Sequence, residues 1–148
     1  MIRGDVDVAL DKVLVQCESN ARRFRYTGEL LANETEAQLL YRLADQRDAL
    51  ASEVRHELRQ RGELPDTVDV ERQTLQELKD RITAALAREG RKMVLLERVE
   101  DEERLAAAAA AALDLRLPEE CRAVLERVRK EAEYGAEHLR TTCDRVTP

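Results

Sequence analysis

Glu53 and His56 stand three residues apart in a stretch of helical periodicity. Glu-x-x-His is the spacing with which one bundle helix offers two ligands to an iron or manganese ion; a complete di-iron site takes this pair from two helices and a single Glu from each of two others. The second histidine, His138, has Gly135 three residues back and Tyr134 four back, so its Glu partner is missing. Glu133 is five residues away and falls elsewhere on the helix. Glu53, His56, Glu100 and His138 are therefore the weaker, metal-binding alternative. The favoured expectation is no cofactor and no catalytic residue, with Glu53 and His56 on a solvated flank.

Arg47 carries a different kind of chemistry. It interrupts the apolar series Leu40, Leu43, Leu50, Val54, Leu58 at the place where a hydrophobic residue is due. An unpaired guanidinium there is costly, and a paired one is tolerable. Glu100 and Glu103 fall on a stripe with Met93, Leu96 and Ala107. This predicts an interior ion pair between Arg47 and Glu100, with Glu103 beside it. The competing reading has Arg47 snorkelling outward past Leu43 and Leu50. Cys17, Cys121 and Cys143 lie on apolar seams, where thiols act as small inert hydrophobes. Ser, His and Asp form no hydrolase-like set, and neither a glycine-rich phosphate loop nor a Cys-x-x-Cys is present.

These residues need helices to position them. The first is expected from about Asp5 or Asp7 to Ala32, with its seam at Leu10, Leu14, Cys17, Ala21, Phe24, Gly28 and Leu31. That alternation of four and three suits a shallow crossing against antiparallel neighbours. Asn33, with Glu36 three residues on, makes a capping-box-like start for a second helix that ends near Gly62. Pro65 and Asp66 mark a break, and Glu71 to Glu89 form a third helix with Leu75, Leu78, Ile82 and Leu86 facing in. Its 19 residues would span roughly 28 Å, about the length of a bundle. Gly90 ends it.

The central helix follows to Leu117. From Leu95 it passes through an acidic cluster into seven consecutive alanines, Ala106 to Ala112. Alanine has the highest helix propensity, so this segment is helical with little help from packing. After Pro118 the last helix carries the most regular seam: Cys121, Leu125, Val128, Ala132, Gly135, Leu139, Val146. Gly28 and Gly135, both mid-seam, predict close approach by a helix or a bulky side chain, the alternative being a small cavity.

Composition agrees. Charged residues are 38% of 148, aromatics 3%, and five glycines with three prolines leave little chain for loops. The net charge of −6, with cations and acids alternating along every segment, argues against a nucleic-acid partner. Three cysteines and an amino terminus without an apolar signal core point to a reducing, cytoplasmic setting. The longest apolar run, Leu105 to Leu113, is far short of the roughly 20 residues a bilayer requires, so no membrane partner is expected.

The segments Leu43-Ala44-Asp45-Gln46-Arg47 with Glu53, Glu97-Arg98-Val99-Glu100-Asp101, and Leu117-Pro118-Glu119 with His138 resemble a bacterial ferritin-like family, domain of unknown function 2383. The resemblance covers roughly residues 8 to 142. It implies a four-helix bundle with a crossover helix, and it brings no established activity. The stretch Cys17 to Phe24 lacks the acidic residues that the family usually has there, and Arg42 stands where an acid often precedes the Leu-Ala pair.

The resulting expectation is all-α: a ferritin-like antiparallel four-helix bundle with an additional helix in the long crossover between the second and third bundle helices, residues 1–148 forming one domain. Its expected role is non-enzymatic, acting as a homodimer or through another protein partner. The alternatives are a degenerate di-iron protein and a binder of a small apolar ligand in the bundle core.

Overall fold

The computed structural model describes residues 4–63 and 72–146, and these form five α-helices with no strand among them. They are α1 (Asp5–Leu30), α2 (Glu34–Gln60), α3 (Arg72–Glu89), α4 (Arg91–Leu113) and α5 (Glu119–Asp144). The breaks at Pro65 and Asp66 and the expected start at Glu71 lie outside the described residues.

Local chemistry sets the helix ends. The Asn33 side chain accepts a hydrogen bond from the Glu36 N–H at 3.0 Å, capping α2. At the other end of α2, Gly62 takes φ +79°, its N–H reaches the Arg59 carbonyl at 2.9 Å, and the Glu63 N–H reaches Leu58 at 3.0 Å. Only glycine enters that left-handed backbone at low cost, so the helix stops there. Gly90, at φ +90°, is the sole residue between α3 and α4. α4 ends at Leu113 with Asp114 capping it, four residues short of the expected Leu117.

α1, α2, α4 and α5 pack as a bundle whose adjacent members run antiparallel. Arg61 meets Asp7 at one end of the α1/α2 pair and Arg25 meets Asp45 toward the other. α4 begins at the end of the bundle opposite to the one where α2 finishes: Arg91 contacts Glu36, while Cys121 at the start of α5 contacts Glu57. α3 lies in the connection that spans this distance and rests on the outside of α1 and α4. Its expected inward set was too generous. Ile82 and Ala85 are its buried residues, while Leu75, Leu78 and Leu86 stay half-exposed. No helix among the described residues is long and apolar enough to cross a membrane.

The bundle core is divided. One cluster holds Leu10, Leu14, Leu50, Leu58, Leu105 and Leu125; a second holds Phe24, Leu40, Leu43, Leu95, Val99 and Leu139. Between them lies a polar layer.

Candidate functional site

All four bundle helices contribute to that layer: Asn20 from α1, Arg47 from α2, Glu102 from α4 and Gly135 from α5. Arg47 and Glu102 are both 0% exposed. Arg47 Nε donates to Glu102 Oε1 at 2.9 Å and Oε2 at 3.1 Å, and Nη2 donates to Oε2 at 2.5 Å. The fork geometry of a guanidinium matches a carboxylate in this way, and lysine could not reproduce it. Asn20 Nδ2 supplies a further donor to Glu102 Oε1 at 3.1 Å and one to the Asp101 carbonyl at 3.0 Å. Gln16 Nε2 fixes Asn20 from behind, donating to its Oδ1 at 2.8 Å.

Gly135 makes the layer possible. A Cβ at that position would lie 2.2 Å from Glu102 Oε2 and 2.8 Å from Arg47 Nη2. Helical side chains lean back over the preceding turn. Their absence here opens the Glu131 carbonyl, which accepts from Arg47 Nη2 at 2.9 Å. Gly28 serves a bulkier neighbour, the Tyr41 ring, whose Cε1 would meet a Cβ at 2.8 Å.

Burial pushes the Glu102 carboxyl above its usual range, and the Arg47 hydrogen bonds, the Arg47 charge and Asn20 oppose that rise. For Arg47, burial works against the charge, and the Glu102 contacts outweigh it, holding the guanidinium above its ordinary value.

The expected partner of Arg47 needs correction. Glu100 is 62% exposed and faces Arg104 at 3.7 Å, while Glu103 sits on the surface with Arg140 at 3.2 Å. The inward stripe of α4 is Leu95, Val99, Glu102, Leu105, Ala109, Ala112, with Met93 45% exposed. The helix is turned by about one residue, roughly 100°, from the expected phase. Its alanine run has no sidedness, and its charged half alternates too evenly to fix the rotation. The apolar pair Leu95 and Val99, continued by Leu105, was the signal that marks the true face.

The metal alternative does not assemble. Glu53 pairs with Arg127, and both line a surface groove with His56. His138 lies edge-on to the exposed Tyr134, with ring centroids 5.6 Å apart. Glu100 belongs to another groove, against α3. Among the described residues, no three or more His, Cys, Asp or Glu side chains stand where they could share an ion.

Immediately before Glu102, Asp101 is a second buried carboxylate. Its Oδ1 accepts from Arg23 Nη1 at 2.9 Å and Arg104 Nη1 at 3.0 Å, and its Oδ2 from Arg98 Nε at 2.8 Å. Arg98 Nη1 then donates to Thr27 Oγ1 at 3.0 Å. Sequence reasoning assigned no role to Asp101, Glu102 or Asn20.

The three cysteines are buried and unbridged. Burial raises the Cys17 thiol from 9.0 to about 12, with Glu102, Glu18 and Glu131 adding to the rise and Arg47 opposing it. An unfolded chain ionises this thiol near 9.0, whereas the folded chain keeps its proton until about 12. The resulting stabilisation is complete below the lower value and drains away as pH rises between the two. By pH 10 the loss should be about 1.4 kcal/mol. Urea denaturation of the reduced protein between neutral pH and pH 10 measures it, and Cys17→Ala should flatten the alkaline decline.

No protein-family model, curated protein or solved structure matches this chain.

Proposed function

We propose that this chain is a ferritin-like bundle, of the kind that its Leu43–Arg47 and Glu97–Asp101 segments resemble, which works without a catalytic metal, as a homodimer. The observation that carries the reading is an uncovered apolar strip on α1 and α4. Val8 is 38% exposed and Val15 43%, and Val8 lines a groove of about 290 Å³ with Ala9, Ala108, Ala111 and Leu115. α3 rests on this same α1/α4 face, but on its other half, near Tyr26 and Val94.

The charges flanking the strip favour a second copy as the occupant. Asp5 lies three residues before Val8 and Lys12 four after it, and both line the groove. An antiparallel α1 from a two-fold-related copy sets Asp5 of each chain toward Lys12 of the other, with Val8 near the axis. Isologous contacts require this self-complementarity. The small alanine side chains of α4 let the paired helices approach closely.

The central layer supports the metal-free part of the reading. The Glu102 carboxylate in the middle of the bundle is already held by a guanidinium, and the buried Asp101 beside it is held by three.

Sedimentation velocity over a dilution series tests the association. The wild-type chain should sediment as a dimer, and Val8→Glu with Val15→Glu should give a monomer of unchanged helix content. A wild-type monomer at every concentration overturns the dimer. Near-stoichiometric iron or manganese in freshly purified protein, lost in Glu53→Ala, overturns the metal-free part.

A further inference from the structure

We infer that the groove between α3 and the α1/α4 face is a binding site for a small multivalent anion of the phosphate or phosphate-ester class. The groove holds about 370 Å³ and is lined by five arginines from three helices: Arg23, Arg81, Arg88, Arg98 and Arg104. Four acids share it, Glu89, Glu97, Glu100 and Asp101. Its formal balance is therefore +1, in a chain whose net charge is −6.

The arrangement of these charges matters more than their sum. Asp101, 1% exposed, takes one hydrogen bond from each of Arg23, Arg98 and Arg104. A guanidinium has five N–H donors, so each of the three keeps others free while its position is fixed. Donors fixed in advance lose little freedom when a ligand arrives.

The remaining acids compete poorly. Glu97 lies 3.7 Å from Arg98, Glu100 3.7 Å from Arg104 and Glu89 3.9 Å from Arg88. All three contacts exceed hydrogen-bond length, and partly exposed pairs of this kind contribute little. On the opposite wall, Arg81 makes no ion pair among the described residues and lines the groove across from the Asp101 cluster. A tetrahedral dianion can accept from both walls at once, which a flat monocarboxylate does less well.

The wall formed by α3 is lightly attached. Ile82 and Ala85 are its buried residues, Lys79 Nζ sits 4.7 Å from the Tyr26 ring centroid, and Gly90 is its joint to α4. An anion bridging Arg81 to Arg23 and Arg104 would pin α3 to the bundle. This inference is independent of the proposed dimer, which uses the other half of the α1/α4 face.

The test adds pyrophosphate to the full chain at constant ionic strength, with calorimetric titration and hydrogen exchange as readouts. Binding should saturate, amide exchange across α3 should slow while α5 is unchanged, and Arg81→Ala should weaken affinity about tenfold. Arg127→Ala, on the far side of the bundle, should bind as the wild type does. An equal response to sodium chloride, undiminished binding by Arg81→Ala, or α3 exchange unaffected by pyrophosphate would each overturn the site.

Discussion

An Arg47→Met variant should lose about 3–5 kcal/mol of folding stability, because the Glu102 carboxylate stays buried with its counter-charge gone. Asn20 alone cannot replace the three short contacts that the guanidinium makes. A loss of that size is a fifth or more of a typical domain's stability, and at this chain length it should lower the melting temperature by about 6–20 °C. The informative comparison is Arg47→Met combined with Glu102→Leu. With both charges removed, no desolvated ion remains, and stability should return close to the wild-type value or exceed it. Arg47→Lys should fall between, since an ammonium cannot form the fork. Equilibrium denaturation of the four proteins decides the matter. A single variant losing less than about 1 kcal/mol, the range of an exposed pair, would mean that water reaches the layer.

The seams of α1, α2 and α5 were legible in the sequence because each alternates apolar and charged residues without ambiguity. Leu10, Phe24, Leu43, Val54, Leu125 and Leu139 are all buried, as are Cys17, Gly28 and Gly135. Arg47 was legible too, as a charge in a place that the periodicity reserves for an apolar side chain. Its partner was not. Glu100, Asp101, Glu102 and Glu103 are consecutive, so every face of α4 carries an acid, and choosing among them requires the rotation of the helix. Seven alanines supply helix propensity without direction. The rotation is set by tertiary contacts, Leu95 and Val99 against Phe24 and Leu139 on one side of the layer and Leu105 against Leu14 on the other.

Periodicity alone overstates the burial of the third helix. Leu75, Leu78, Ile82 and Leu86 form an amphipathic stripe, yet the helix rests against two neighbours and buries only Ile82 and Ala85. A one-sided apolar pattern reports that a face is suited to packing. It does not report how much partner surface is offered.

The polar layer also gives the bundle information that its apolar residues lack. Leucine and alanine seams tolerate sliding by a turn, since one methyl-rich layer resembles the next. A guanidinium, a carboxylate, an amide and a missing side chain at one height fit each other in a single register. Slipping α4 by one turn against α2 would bury Arg47 against Val99 or Leu105 and leave Glu102 without its fork. Such a mismatch costs more than any single apolar contact could recover.

Gly135→Ala puts the geometry of that layer to its sharpest test. In an ordinary helix the exchange stabilises by about 1 kcal/mol. Here the new methyl carbon would sit 2.2 Å from Glu102 Oε2 and 2.8 Å from Arg47 Nη2. Both atoms are the ends of flexible side chains, but each is held by the other and neither has solvent to move into. Accommodating the methyl means breaking the fork, at about 3–5 kcal/mol, so the net expected loss is about 2–4 kcal/mol. Gly28→Ala offers the contrast within the same fold. Its added carbon meets the rim of Tyr41, a half-exposed ring that can swing outward, and the change should be near neutral. The sign should then reverse in a background of Arg47→Met with Glu102→Ala, where both obstructing atoms are gone and alanine's helix propensity is all that remains. A destabilising Gly135→Ala that stays destabilising in that background would show that the glycine is required by the backbone of α5 and not by the ion pair.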